Sequence, residues 1–407
     1  MLKLTSTQQA LLGLIGQGVF NKKVDIPVTE WDTVERMANE QGVLSMLYAG
    51  AIKNKKTIPS RYLQEWRGIF YSDHTRNERL IKAQNDVLAL IRAQGIRVVV
   101  LKGTSISIYY KHPEIRCLGD VDLLVDKCNM QRVGDILTSQ GYTEIHVGHS
   151  FHNTYEKTGI TIEVHHAVTE FPKSEGGRRA ESIMNKFLDD AKVVSMNEME
   201  FPALSETHQA LMLLLHMERH MTEMNIGLRQ LCDWAVFVSG DSVDHWKQET
   251  LQVLDYCGML VFAKVASKAC VIYLGVQEEH CSWCMDAKME LVDAFMDDIL
   301  QGGNFGAANA KKIGSLFTDR SILGQKQQGI VKGIFAKIKS RACFLFPLAK
   351  KHKVLLPICC IYVPFEYLFR SLIRKPNRRG IAEMLDVSRR RRKLIQNLCL
   401  YDVVEKE

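Results

Sequence analysis

The sequence predicts an α+β protein in which helices surround one mixed sheet. Apolar residues recur at helical spacing in the first 95 residues and again beyond residue 202, whereas short runs rich in Val, Ile and Leu interrupt helical segments between them. Of the 407 residues, 46% are hydrophobic and 24% are charged. These proportions are ordinary for folded proteins and exclude collagen-like, coiled-coil and wholly disordered chains.

Residues 1–95 form the predicted N-terminal helical region. Ser6 or Thr7 can cap a first helix, because both side chains accept hydrogen bonds from free backbone amides. Residues 31–46 continue the helical pattern, and residues 77–93 place their apolar side chains on one stripe. Gly95 then stands where that helix should end.

Residues 96–172 are the predicted sheet-containing core. Residues 96–101 and 121–125 are short apolar runs typical of buried strands. The same segment predicts helices at 104–110 and 130–140 and further strands at 143–146, 153–157 and 161–165. Because strands and helices alternate, the sheet is expected to be mixed.

The remainder divides into a helical domain at 173–330, expected to lie on the acceptor side, and a basic helical tail at 331–407. The helical pattern returns after Pro202, where Ser205 heads a long apolar run. Further helices are predicted at 229–238 and 246–273.

The net charge of +7 is concentrated near the C-terminus, since residues 370–397 alone carry +8. A near-neutral body excludes a bulk nucleic-acid coat. Three uses of the tail stay open: contact with RNA, peripheral contact with an anionic membrane, or a solvated helix. The apolar stretch at 354–369 covers 16 residues, whereas a membrane span needs about 20, so a spanning helix is not favoured.

The eleven cysteines are scattered without a disulfide framework, and the N-terminus lacks the apolar region of a secretion signal. Both features predict a cytoplasmic protein with reduced thiols.

Asp120 and Asp122 open an otherwise apolar strand, and they are the most informative residues of the chain. Side chains two apart in a strand share a face, so the two carboxylates should lie side by side. Burying them unpaired would be costly, and a divalent cation such as Mg²⁺ resolves the repulsion. Glu163, in a later predicted strand, is the candidate third acid of a site for two ions.

Lys102-Gly103-Thr104-Ser105 follows the first strand and predicts a phosphate-binding turn. Gly103 permits close approach of the backbone, while amides at the helix start and the two hydroxyls can bind triphosphate oxygens. Arg116 can add a charge-assisted contact to the nucleotide.

Several other polar residues have two interpretations each. His165 and His166 can position a phosphate or orient Glu163, or they can be structural. His216 and His220 favour a structural or acceptor-side role over zinc, because no second ligand pair is evident. Arg229 suits an i, i+4 ion pair with Asp233, or it can reach the nucleotide pocket.

These motifs resemble the nucleotidyltransferase superfamily typified by DNA polymerase beta. More closely, Leu101–Gly103, Arg116–Val125 and Glu163–His165 are similar to motifs of bacterial nucleotidyltransferase family proteins. Two departures are that Thr104, not Ser, follows Gly103, and that the third acid is Glu.

The resemblance implies a polymerase-beta-like core and an enzyme that transfers a nucleoside monophosphate, AMP from ATP, to a hydroxyl of a small molecule or protein, releasing pyrophosphate. It also implies that Asp120 and Asp122 bind two Mg²⁺ ions, and that Glu163 binds the catalytic ion and helps deprotonate the acceptor. Two alternatives are a toxin-like nucleotidyltransferase acting on RNA ends or tRNA, and a non-catalytic interaction module. RNA is not favoured, because the tail lacks interleaved aromatic residues.

Overall fold

The structure is a computed structural model in which helices surround a seven-stranded mixed sheet, as the predicted α+β class requires. It describes residues 1–145, 151–196, 199–223, 225–240, 243–302, 323, 338–339, 342–343, 345–346, 355–363 and 389–403. Most of the predicted basic tail therefore lies outside the described residues.

Four helices form the N-terminal part: α1 (Ser6–Phe20), α2 (Trp31–Gln41), α3 (Leu44–Ala51) and α4 (Ser60–Ala93). The cap of α1 is Thr5, whose hydroxyl accepts from the amide of Gln8, so the prediction of Ser6 or Thr7 was wrong by a residue or two. The helical pattern predicted at 31–46 is divided between α2 and α3. Gly42 ends α2 with a φ of 66°, a conformation that glycine adopts without strain.

The sheet contains seven strands in the order β3-β4-β5-β2-β1-β7-β6. Strand β2 runs antiparallel to β1 and parallel to β5, and β7 runs parallel to β1. The strands are β1 (Val98–Val100), β2 (Val121–Val125), β3 (Thr143–Ile145), β4 (His152–Lys157), β5 (Ile160–His165), β6 (Lys192–Met196) and β7 (Met199–Ala203).

Strands β6 and β7 extend the sheet beyond residue 172, the predicted end of the core. The sequence did not predict them, because β6 is largely exposed and Pro202 lies within β7. The five strands predicted between 96 and 165 are all present.

Further α-helices within the described part of residues 104–302 are α5 (Thr104–Ser107), α6 (Met130–Ser139), α7 (Glu175–Met184), α8 (Glu206–Glu223), α9 (Leu228–Val238), α10 (Val243–Tyr256), α11 (Leu260–Ala269) and α12 (Met289–Gly302). The helix predicted at 104–110 is only one turn long. The helix predicted at 246–273 is broken at Gly258, whose φ of 68° ends α10 and whose carbonyl accepts from the amide of Tyr401.

The two faces of the sheet pack against different cores. Val98, Val100 and Leu123 point into a core shared with the second half of α4 and with α6. Val99 and Leu124 point the other way, into the core formed mainly by the surrounding helices, including α8 and α9. Because side chains alternate along a strand, Asp122 lies on the same face as Leu124. The acidic residues therefore lie on the helical side of the sheet.

Residues 389–397 form a helix, as the tail was predicted to do. Arg391 is only 1% exposed, and its guanidinium donates to Asp298 of α12 at 2.9 Å. The expectation of a solvated helix is therefore wrong for Arg391. Within the described ranges, no helix combines the length and the apolar character needed to cross a membrane.

Candidate active site

Strand pairing brings together the three acids that the sequence singled out. Asp122 of β2 and Glu163 of β5 are register partners in the parallel pair, so their side chains share a face. Asp120 immediately precedes β2. Carboxylate oxygens of the three residues lie within 4.8 Å of one another. The predicted acidic cluster is therefore present, and its catalytic and metal-binding roles are taken up below as proposals.

Lys102 places a positive charge on this cluster. The hydrogen bonds between β1 and β2 continue past the end of β1, because the Leu101 amide donates to the Asp122 carbonyl. The side chain of the next residue, Lys102, donates from Nζ to Asp122 Oδ1 at 2.7 Å. Gly103 follows with φ 59° and ψ −110°, a combination that only glycine adopts readily. Burial lowers the pKa of Lys102, but the charges of Asp122, Asp120 and Glu163 together outweigh burial and raise the net pKa, so the ammonium stays charged.

The hydroxyls of Thr104 and Ser105 are bound within the protein. Thr104 donates to the side-chain oxygen of Gln84, and Ser105 donates to the Leu101 carbonyl at 2.8 Å. Both side chains are buried. Because α5 is a single turn packed into the core, its hydroxyls serve the turn itself, and their phosphate contact stays a prediction.

Arg116 also has a partner inside the protein. Its Nε and Nη2 donate to the two carboxylate oxygens of Asp233 at 2.7 and 2.8 Å, and the Tyr110 hydroxyl donates to the same carboxylate at 2.8 Å. This bidentate pair fixes the segment that leads into Asp120 against α9. In this structure Arg116 therefore holds that segment in place, and its contact with a nucleotide stays a prediction. Arg229, the partner predicted for Asp233, also lies near it: burial lowers the pKa of Arg229, and Asp233 acts in the opposite direction. Arg229 lies near enough to Asp120 to lower its pKa.

Two histidines adjoin the acids. His165 Nε2 lies 2.9 Å from Asp122 Oδ1 and 3.2 Å from Glu163 Oε2, which fits its predicted role in orienting Glu163. His152 Nε2 lies 3.7 Å from Glu163 Oε1. Sequence reasoning missed His152, because only the β4–β5 register shows that it lies opposite His165.

Helix α8 places three more residues near the cluster. His216 and His220 contact each other through their Nε2 atoms at 3.0 Å. Burial, with the neighbouring His220 and Lys102, holds the pKa of His216 well below its usual value, and burial lowers that of His220 to about 3. Both imidazoles are therefore neutral at neutral pH. Arg219 lies over the Phe151 ring at 5.3 Å.

The negative charge of the cluster is only partly balanced. The charge of Asp122, together with burial, raises the pKa of Asp120 to about 6. Burial raises the pKa of Asp122, but Lys102 and His165 outweigh it and hold that pKa far below the ordinary value. Burial likewise opposes ionisation of Glu163, and the hydrogen bond with His165 keeps its pKa low. Asp120 is thus the acid whose charge is least compensated.

Replacing Asp120 with Asn should stabilise the metal-free protein at high pH. A folded-state pKa of about 6 lies above the unfolded value, so Asp120 supports folding below about pH 4 and loses that contribution as pH rises through 6. We expect Asp120→Asn to raise the free energy of unfolding by roughly 1 kcal/mol at pH 8 and by less at pH 4. The effect at pH 8 is small because water screens this partly exposed group. Urea unfolding in EDTA at both pH values measures the difference; a variant less stable at pH 8 would contradict it.

A family model described as "Uncharacterised nucleotidyltransferase" matches residues 27–270. The match spans α2 to α11 and includes all seven strands and every residue of the acidic cluster. No curated protein matches the chain.

Proposed function

The chain belongs to the nucleotidyltransferase family that this match describes, and on that premise we propose a specific reaction. The enzyme uses Mg²⁺ to transfer a nucleoside monophosphate, AMP from ATP, to a hydroxyl of a small molecule or protein, with release of pyrophosphate. The observation that supports it most is the convergence of Asp120, Asp122 and Glu163 beside Lys102.

The donor set suits magnesium. Mg²⁺ prefers carboxylate oxygens and keeps open positions for phosphate and water. The three carboxylates lie within 4.8 Å of one another, and the raised pKa of Asp120 reflects a repulsion that a divalent cation relieves. When bound, two such ions supply charge stabilisation for the attacking and leaving oxygens of an in-line displacement.

The side chains divide the remaining work. Lys102, whose side chain is 17% exposed beside the acids, is placed to bind an oxygen of the triphosphate. Glu163 accepts the proton of the acceptor hydroxyl as the new bond to the α-phosphorus forms and the bond to the pyrophosphate oxygen breaks. Helix α8 lies beside the cluster, and its residues His216 and Arg219 can contact the acceptor.

The proposal is tested with the full-length chain, Mg²⁺ and each of the four α-labelled nucleoside triphosphates, incubated in a cell extract. We expect label from ATP to appear on an acceptor with equimolar pyrophosphate. Mg²⁺–ATP at a hundred times its Kd should also stabilise the fold by about 2.7 kcal/mol. If no nucleotide stabilises the protein, it is a non-catalytic module, and label found on RNA would favour the RNA-end alternative.

A further inference from the structure

A second group of potential metal ligands adjoins the acidic cluster. His152 of β4 and His165 of β5 are register partners, and Glu163 lies two residues before His165 on the same face. The two imidazole rings are 4.7 Å apart, and ligand atoms of His152, Glu163 and His165 lie within 4.8 Å of one another. Both histidines are buried, so water does not compete freely for them.

The separations between these atoms suit a common ion. Two ligand atoms that each lie about 2.1 Å from one ion are about 3.0 Å apart when their bonds to the ion form a right angle. They are somewhat farther apart when the bonds form a tetrahedral angle. His165 Nε2 lies 3.2 Å from Glu163 Oε2, and His152 Nε2 lies 3.7 Å from Glu163 Oε1. Both nitrogens therefore face the same carboxylate at near-ligand spacing.

A buried hydroxyl at the same place is an independent indication of a ligand. Thr154 lies directly opposite Glu163 in the β4–β5 pair and is 6% exposed. Among the described residues its Oγ1 has no hydrogen-bond partner. Buried polar atoms are normally satisfied, and an ion-bound water beside Glu163 would satisfy this one.

The rings are also held in place. Phe151 stacks on His165, with centroids 6.0 Å apart and planes inclined by 29°, and the Arg219 guanidinium lies over the Phe151 ring, 5.3 Å from its centroid. Ordered ligands lose less entropy when they bind an ion. The arrangement is therefore more than a chance proximity of side chains.

We propose that His152, His165 and Glu163 bind a transition-metal ion of the Mn²⁺ or Zn²⁺ class, next to the carboxylate position and sharing Glu163 with it. The ion would take the place of the proton that His165 Nε2 shares with Asp122 and Glu163 in the metal-free structure. Imidazole nitrogen suits such ions, whereas Mg²⁺ prefers an all-oxygen shell. The centre is thus asymmetric, with one position selective for magnesium-like ions and one for softer ions. The binding does not depend on the nucleotidyl transfer proposed above.

The test is pulsed electron paramagnetic resonance of the full-length chain loaded with Mn²⁺. We expect nitrogen-14 modulation from coordinated imidazole, reduced in His152→Leu and in His165→Leu. His74→Leu, at a 43% exposed histidine of α4, is the matched control and should leave the signal unchanged. Calorimetry should show at least a tenfold loss of Zn²⁺ affinity in His152→Leu with Mg²⁺ affinity retained.

His152→Asn is a second variant that separates loss of the ligand from misfolding, because it keeps a polar group of similar reach while removing the imidazole. Absence of nitrogen modulation in the wild-type chain, or its full persistence in both histidine variants, overturns the proposal. Nitrogen coordination without nucleotidyl transfer would leave this site standing and reject the proposed function. Nucleotidyl transfer by a protein whose bound Mn²⁺ has only oxygen ligands would support the proposed function and reject this site.

Discussion

Replacing Asp122 with Asn should lower nucleotidyl transfer by roughly 10³-fold or more. The carboxylate lies at the centre of the acidic cluster, and it also accepts from Lys102 and His165. Metal-bound charge stabilisation contributes several kcal/mol to such transition states, and each 1.36 kcal/mol is a factor of ten in rate. The measurement is the initial rate of pyrophosphate release from labelled ATP with saturating Mg²⁺.

Asp126→Asn is the matched control, because Asp126 follows β2 at its opposite end and is 40% exposed. Its activity should equal that of the wild type. The double variant Asp120→Asn with Asp122→Asn should be as inactive as Asp122→Asn alone within a factor of about ten, since residues acting on one centre are not additive. Unchanged turnover and unchanged Mg²⁺ affinity in the double variant would refute the proposed function.

Loss of activity in these variants need not come from loss of the fold. Asp120 is the least compensated acid, so its removal should disable the centre while stabilising the metal-free protein above pH 6. Gain of stability with loss of activity is the behaviour expected of residues held in place for function rather than for folding. A purely structural role for Asp120 would lower both quantities together.

The acidic cluster could be predicted from the sequence because it depends on two simple regularities. Alternation along β2 places Asp120 and Asp122 on one face, and the apolar residues around them show that the strand is buried. Glu163 follows from the same alternation in β5. What the sequence could not give is the register between strands, and register is what places His152 opposite His165.

Strands β6 and β7 show a second limit. Their pairing partners are β1, about a hundred residues earlier, and each other, so the sheet stabilises a segment whose own pattern is weak. Tertiary context overrides local propensity in such strands. The prediction of one helix over residues 246–273, where the structure has α10 and α11, failed for the opposite reason. The apolar pattern continues across Gly258, whereas in the structure the φ of 68° at Gly258 and the close approach of Tyr401 mark the break.

Charge pairing is the third limit, because a sequence shows the charges but not their partners. Arg229 and Asp233 have the spacing of a helical ion pair and do interact, but that spacing does not show that the Asp233 carboxylate also accepts from Arg116 and Tyr110 across the structure. Arg116 is 6% exposed, and its planar guanidinium meets the Asp233 carboxylate in a bidentate arrangement. Arg116, which the sequence predicted to contact the nucleotide, thereby fixes the segment that leads into Asp120.

Breaking that pair should have the largest effect on stability. Asp233→Asn leaves the buried Arg116 guanidinium without its countercharge and weakens the hydrogen bond from Tyr110. Loss of one partner of a buried ion pair costs about 3–5 kcal/mol, whereas replacement of both by apolar residues is often close to neutral. We therefore expect Asp233→Asn to lose about 3 kcal/mol or more, and Arg116→Leu with Asp233→Leu to recover most of it.

Urea unfolding of the two variants and of Asp286→Asn, an exposed aspartate paired with Lys264, separates the explanations. The control should lose less than about 0.5 kcal/mol, because exposed ion pairs contribute little. If Arg116 serves the fold through Asp233, the double variant regains stability and keeps its affinity for Mg²⁺–ATP within a few-fold. If Arg116 instead binds the nucleotide, the double variant regains stability but loses that affinity, and the assignment of Arg116 returns to the prediction made from its sequence.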